Sequence, residues 1–206
     1  MELDLFNSKD VQLKSIPIED GELSFLDDLP LPYSKLEIFN RLKNETEWKT
    51  ESISVWGKTY LQPRLIAWYG DEGKSYKYSG NLFQALPWTP LLVTIKEEVE
   101  KICSKKFNSV LLNYYRDSAD SMGFHSDNEP ELGKTPNIAS LSLGETRIFV
   151  FKHKYKKGLK PIRISLKNGN LVLMSGETQK NWVHGIPKET KKCGSRINLT
   201  FRFIYN

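Results

Sequence analysis

Apolar positions change their spacing near residue 108. Before that point two stretches repeat at helical intervals. From Tyr33 to Glu45, Leu36, Phe39 and Leu42 recur every three residues behind Ser34, a residue type that caps helices. From Thr89 to about Lys105, Leu92, Ile95, Val99 and Ile102 form a stripe, with Thr89 as N-cap and Pro90 in the first helical position. Beyond residue 108 the repeat shortens to two. SVLLNYY, NIASLSL, TRIFVFKH, IRISL, NLVLM and SRINLTFRFIY read as strands, separated by turns such as KNGN. Many short strands between turns predict an α+β fold with an antiparallel double-sheet core, a jelly roll, and two N-terminal helices packed on one sheet. Residues 1–32, ending in LPLP, read as an N-terminal arm or lead-in. They stand as a pairing segment, a solvated tail or a partner site, and residues 33–206 as a single domain.

The 206 residues suit one domain, and 39% hydrophobic content suffices for a core. No apolar run approaches the ~18 residues of a membrane span. The opening MELDLFNSKD has no apolar signal-peptide region, so an intracellular protein is expected, cytoplasmic or nuclear by organism; separately, a monomer with no membrane partner is expected. Cys103 and Cys193 are far apart and form no CxxC, which fits free thiols. The net charge of +5 is unevenly spread. Residues 1–37 carry nine carboxylates and three lysines, whereas Lys152, Lys154, Lys156, Lys157, Lys160, Arg163, Lys188, Lys191 and Lys192 cluster later. A basic body fits a polyanion such as nucleic acid, and equally a solvated surface.

Candidate chemistry sits on the strands. In an extended backbone His125 and Asp127 point to one side and can grip one ion. His184, 57 residues after Asp127, reaches it only through the fold. Two histidines and a carboxylate leave positions open for a cosubstrate and oxygen, as in non-haem iron(II) oxygenases. Alone, the HxD pair is a weak signal. In the last strand Arg196, Asn198, Thr200 and Arg202 share a face opposite Ile197, Leu199, Phe201 and Phe203. That polar face belongs either to solvent or to a cavity, where an arginine fork binds a carboxylate bidentately. Six residues of strand span ~20 Å, so Arg196 and Arg202 share one small dicarboxylate only by leaning together. Asn113 and Tyr115 likewise share a face, toward water or toward a keto-acid pocket.

Taken in order, Asn113-Tyr114-Tyr115, His125-Ser126-Asp127, Ile138–Gly144, His184 and Arg196–Arg202 resemble the AlkB family of Fe(II)- and 2-oxoglutarate-dependent nucleic-acid alkylation-repair dioxygenases. The likeness is to the animal-type repair homologues. It runs upstream through Pro63-Arg64, Trp68-Tyr69-Gly70 and Tyr76–Gly80, covering roughly residues 53–205. It implies a double-stranded β-helix. It also implies iron on His125, Asp127 and His184, and 2-oxoglutarate on Asn113, Tyr115, Arg196, Asn198, Thr200 and Arg202. The implied reaction uses O2 and converts 2-oxoglutarate to succinate and carbon dioxide. An N-methyl group of 1-methyladenine or 3-methylcytosine, in DNA or RNA, leaves as formaldehyde. Such a base must leave its stack. By the same likeness Tyr78 stacks on it, Tyr76 approaches a phosphate, Trp56 probes the stack, Lys58 contacts the backbone, and Asn128 or Glu129 reads the exocyclic amine. Asn128 stands where relatives usually carry an acid. Trp68, Trp88 and Trp182 are assigned to the core, and His153 to the surface with no ligand role. Two other readings keep part of this pattern. One is a 2-oxoglutarate-dependent hydroxylase or demethylase of a protein or small molecule; the other is a non-catalytic nucleic-acid-binding relative.

Overall fold

The two expected helices form where their caps lie. Ser34 Oγ accepts from the Glu37 amide and Thr89 Oγ1 from the Leu92 amide, each satisfying an amide that the first helical turn leaves unpaired. The computed structural model describes residues 11–55, 58–78 and 81–205. Its strands are β1 (Lys14–Ile16), β2 (Glu22–Leu26), β3 (Ser52–Val55), β4 (Lys58–Leu61), β5 (Leu65–Gly70), β6 (Ser75–Tyr78), β7 (Asn81–Gln84), β8 (Ser109–Tyr115), β9 (Met122–His125), β10 (Ile138–Gly144), β11 (Arg147–His153), β12 (Ile162–Leu166), β13 (Leu171–Ser175), β14 (Trp182–Ile186) and β15 (Arg196–Arg202). The helices are α1 (Lys35–Glu45), α2 (Pro90–Cys103) and the single turn α3 (Thr178–Asn181).

Two antiparallel sheets carry the core, as a jelly roll requires. The larger runs β1-β2-β13-β10-β15-β8-β5 and the smaller β12-β11-β14-β9, while β3-β4 and β6-β7 are separate hairpins. The large sheet is covered on both faces. Outside, Ile38 and Leu42 of α1 and Leu92, Ile95 and Val99 of α2 pack with Leu112, Leu141, Ile197, Leu199 and Phe201. Between the sheets lie Leu23, Trp68, Tyr115, Phe149, Phe151, Val172, Met174 and Trp182. Every residue of β15 is therefore buried, on the apolar and the polar face alike.

Several details depart from the sequence expectation. Leu36 is 68% exposed and the buried stripe of α1 is Ile38 and Leu42. Both sets fit a helical repeat, but Ile38 and Leu42, one turn apart, face the sheet, and Leu36 lies two positions round from Ile38. Trp68 and Trp182 are buried; Trp88 is half-buried against the outer cluster, its indole donating to Asp71. The His153 side chain is buried rather than on the surface. Its Nδ1 accepts from the Tyr155 and Lys156 amides, and Nε2 lies 3.3 Å from Asp20.

The stretch read as a lead-in supplies strands. β2 pairs along β13 from Leu26–Leu171 to Glu22–Ser175, and β1 extends the edge. Its turn also binds the part of the molecule behind β14. Trp182 Nε1 donates to the Glu19 carbonyl, Asn181 Nδ2 to the Asp20 carbonyl, and Thr178 Oγ1 accepts from the Glu22 amide. Leu23→Ala should cost about 2–5 kcal/mol in denaturant unfolding, the range for a buried leucine. Leu36→Ala should stay within about 0.5 kcal/mol. Equal, small effects would show that the 14–26 segment is not part of the cooperative unit.

Candidate metal and cosubstrate site

The inner face of the large sheet is built by register. On β15, Arg196 pairs with Tyr115, Asn198 with Asn113 and Thr200 with Leu111 of β8; on its other side Thr200 pairs with Ser140 and Asn198 with Ser142 of β10. Directly paired residues point to the same side of a sheet. The alternation read along β15 thus becomes a polar floor, three strands wide, in an otherwise apolar interior. The cavity above it is walled by Met122, Phe149, Leu166, Met174 and Ile186, and His125, Asp127 and His184 close it beside Arg202.

The triad comes from two paired strands and the residue pair beyond one of them. His184 of β14 sits opposite His125 of β9, next to an irregularity in the pairing. Gly185 makes the approach possible, since a Cβ there would stand 2.8 Å from the Met122 carbonyl oxygen. The two imidazoles lie edge to face at 4.5 Å. One donor atom from each of His125, Asp127 and His184 falls within 4.8 Å of the others. His125 Nδ1 lies 2.9 Å from the Gly123 carbonyl. A carbonyl only accepts, so that nitrogen carries a proton, and Nε2 faces Asp127, 3.9 Å away. The Gln179 side chain of α3 accepts from the Asp127 amide at 2.9 Å, fixing the backbone between the two ligand candidates.

Charge in this corner suits a divalent ion. Asp127 is 2% exposed, which by itself favours its neutral form; Arg202, His125 and His184 outweigh that and hold its carboxyl at about 2. Burial, aided by the nearby His125, pushes His184 down to about 3 against the pull of Asp127, leaving it neutral with a free lone pair. Arg202 donates to Asp127 Oδ1 at 2.8 Å, whereas the buried Oδ2 has no hydrogen-bond partner. A carboxylate oxygen and two imidazoles, with that oxygen unsatisfied, fit the donor set of a non-haem iron(II) centre.

At the other end Arg196 is 1% exposed. Its Nη2 donates to Ser142 Oγ, while Nε and Nη1 find no partner. Burial lowers its pKa to about 10, still cationic at neutral pH. A buried cation with two idle N–H groups is costly unless an anion joins it. The Tyr115 ring lies 5.1 Å from the Arg196 guanidinium, and Arg147 lies 5.5 Å from the same ring. Arg147 has no exposed side-chain surface. It donates to the carbonyls of Asp117, Asp120 and Pro187 and lies 3.4 Å from Glu189, tying together the two loops that flank the pocket.

The structure therefore brings His125, Asp127, His184, Asn113, Tyr115, Arg196, Asn198, Thr200 and Arg202 around one cavity. Within it Asn198 is held by Ser140 Oγ and the Leu141 carbonyl, and Thr200 donates to Asn198. Arg202 faces Asp127 and Arg196 the far end, so the two arginines serve different ends of the site. Asn128 is exposed and Glu129 half-buried with a shielded, unpartnered Oε2, both on the segment after the triad and outside the cavity lining. Trp56 lies outside the described residues. Lys58 falls in β4 and Tyr76 and Tyr78 in β6; their side chains lie outside what is described. Sequence reasoning missed Arg64, which donates to Asn113 Oδ1 at 2.7 Å, together with Arg147 and Gln179. All three act through residues distant in sequence; the one local hint is an arginine opening the apolar strand Arg147–Phe151.

Residues 23–202 match the family model described as 2OG-Fe(II) oxygenase superfamily. The chain is 40% identical over 177 residues to the DNA oxidative demethylase ALKBH2 of Homo sapiens, covering 82% of this chain and 68% of that protein. It is 42% identical over 176 residues to the alpha-ketoglutarate-dependent dioxygenase alkB homolog 3 of Mus musculus, covering 82% of this chain and 61% of that one. The Arabidopsis thaliana ALKBH2 is 36% identical over 191 residues, 81% of this chain and 61% of its own length. The solved structure of OsALKBH1 shares the fold, with a TM-score of 0.68 at 16% identity over 92% of this chain and all of that one. The chain belongs to the 2OG-Fe(II) oxygenase superfamily, in its AlkB family, and is an Fe(II)- and 2-oxoglutarate-dependent dioxygenase.

Proposed function

We propose that this protein oxidatively demethylates alkylated nucleic-acid bases such as 1-methyladenine and 3-methylcytosine, as an intracellular monomer. The observation that carries the reading is the shared cavity: a two-histidine, one-carboxylate set at one end and a buried arginine with unpartnered N–H groups at the other. The identity to proteins named as DNA oxidative demethylases supports the choice of substrate. The two free cysteines suit a reducing compartment.

Bound iron, with O2 and 2-oxoglutarate, supplies the oxidising power, leaving succinate, carbon dioxide and a hydroxylated N-methyl group that departs as formaldehyde. The chain's own residues position and exclude. The fork of Arg196 takes the far carboxylate of 2-oxoglutarate through Nε and Nη1, with Ser142 holding its third nitrogen. Tyr115 braces that fork, and Asn113, oriented by Arg64, completes the polar floor with Asn198 and Thr200. Arg202 orients Asp127 so that its second oxygen faces the metal position. Phe149 and Phe151 lie 5.2 and 5.7 Å from the His184 ring and keep water from that side. The target base enters beside His125, the most exposed ligand, with Tyr78 as its stacking partner, Tyr76 and Lys58 at the phosphates, Trp56 at the gap in the stack, and Asn128 and Glu129 at the base edge.

Aerobic incubation with Fe(II), 2-oxoglutarate and a single-stranded oligonucleotide carrying 1-methyladenine should remove one methylene mass, measured by mass spectrometry. Asp127→Ala should lower the rate at least about a hundredfold. Folded, iron-loaded protein that forms neither the demethylated product nor succinate contradicts the reading. Arg196→Lys should raise KM for 2-oxoglutarate about tenfold or more, because a point charge replaces a bidentate fork. An unchanged KM in succinate formation would move the cosubstrate carboxylate elsewhere.

A further inference from the structure

A second concavity lies beyond the end of β15. Its lining includes Lys105, Lys106, Asn137, Phe203 and Tyr205. Phe203 and Tyr205 are 38% and 61% exposed, and their rings are 4.9 Å apart at 58°. Solvent-exposed rings usually lie singly; here two stand together beside lysines.

The patch is held in place. The Asn108 side chain donates to the Ile204 carbonyl at 2.9 Å and accepts from the Ile204 amide at 2.7 Å, a two-point clamp on the backbone between the rings. The Tyr205 amide donates to the Glu131 carbonyl. Gly133 has φ +80°, and a Cβ there would meet the Tyr205 ring at 3.2 Å, so the ring lies against bare backbone. Ile204, between the two rings, is 1% exposed and anchors the segment in the inner core.

The patch neighbours the catalytic site along the chain, although its rings and the cavity-lining side chains lie on opposite faces of the last strand. Phe203 follows Arg202, which bonds Asp127, and Tyr205 is bonded to the 130–132 turn that comes directly after Asn128 and Glu129. Three residues of extended chain place Tyr205 roughly 10 Å from Arg202. Beside the rings Lys105 and Lys106 line the concavity, and exposed Lys134 follows Gly133 in the chain; Lys106 is shared with Glu100 at 2.7 Å and Glu131 is half-buried, so the surplus is positive. Exposed π-faces interleaved with lysines match a flexible polyanion whose units are flat rings, which is single-stranded nucleic acid.

We infer that Phe203 and Tyr205, with Lys105 and Lys134, form a stacking platform for unmodified nucleotides that flank the target base on a single strand. The inference rests on the nucleic-acid reading above and adds a subsite to it. The platform touches the strand, not the reacting atoms, so it governs binding of the oligonucleotide and leaves the cosubstrate alone.

The test is a Phe203→Ala/Tyr205→Ala double variant beside the ring-keeping swap Phe203→Tyr/Tyr205→Phe. With a methylated single-stranded decamer, the double variant should raise oligonucleotide KM about tenfold. KM for 2-oxoglutarate and succinate formation without nucleic acid should not change, and the swap should behave as wild type. Lys105→Ala should reduce the slope of log Kd against log salt by about one. An unaltered oligonucleotide KM in the double variant overturns the platform; so does a parallel rise in the 2-oxoglutarate KM, which marks a structural defect. If the unsubstituted protein demethylates no oligonucleotide, the functional reading fails on its own. Fluorescence anisotropy with an unmodified decamer then decides the platform: weakening of about tenfold on loss of the rings supports it, and equal affinity overturns it.

Discussion

Burial of the large sheet on both faces is the constraint from which the site follows. Helices cover its outer face and the small sheet covers its inner face, so β15 has nowhere to expose Arg196, Asn198, Thr200 and Arg202. Polar groups sealed from water must find partners or cost several kcal/mol. Asn198 and Thr200 find theirs in Ser140, the Leu141 carbonyl and each other; Arg202 finds Asp127. Arg196 retains two idle N–H groups. The fold thus leaves a buried cation with unpartnered donors at one end of the cavity, which the carboxylate of a small dicarboxylate would satisfy.

The same logic orders the metal end. Asp127 is kept anionic mainly by Arg202, and His184 is kept neutral mainly by burial, so these two donors are in the protonation states that an ion requires before it arrives. Supports reach in from distant parts of the chain. Gln179 fixes the Asp127 amide, and the turn at 19–22 holds α3 and Trp182, the elements that carry Gln179 and lead into His184. At the opposite end Arg147 joins loops on both sides of Tyr115. These ties are preorganisation: the chain pays their entropy on folding rather than when cosubstrate binds.

What could be read from the sequence is what repeats or lies close together. The period of two in β15 and β8 revealed which side chains share a face, and the i, i+2 spacing paired His125 with Asp127. Which of the two faces looks inward needed the rest of the fold. Leu36 and Ile38 both satisfied a helical repeat in α1, and only the position of the sheet decided between them. β1 and β2 escaped notice because they are short and their turn is rich in carboxylates, which resembles a solvated tail; their stabilising contacts lie about 150 residues away in Met174, Ser175 and Thr178. His153 followed the basic residues around it toward the surface, yet its ring is enclosed by Asp20 and Trp182. Arg64, Arg147 and Gln179 could not be given roles from local sequence, because each is defined by a contact across the fold; the only local hint is the arginine that opens the apolar strand at 147.

The central claim is that one 2-oxoglutarate spans the cavity, from a metal held by His125, Asp127 and His184 to Arg196. Anaerobic calorimetry of 2-oxoglutarate with and without Mn(II), an ion of similar ligand preference that is inert to the oxidative step, addresses it most directly. The account predicts one cosubstrate per chain, bound tightly only when metal is present, with that enhancement lost in Asp127→Ala. Equal affinity with and without metal would contradict it.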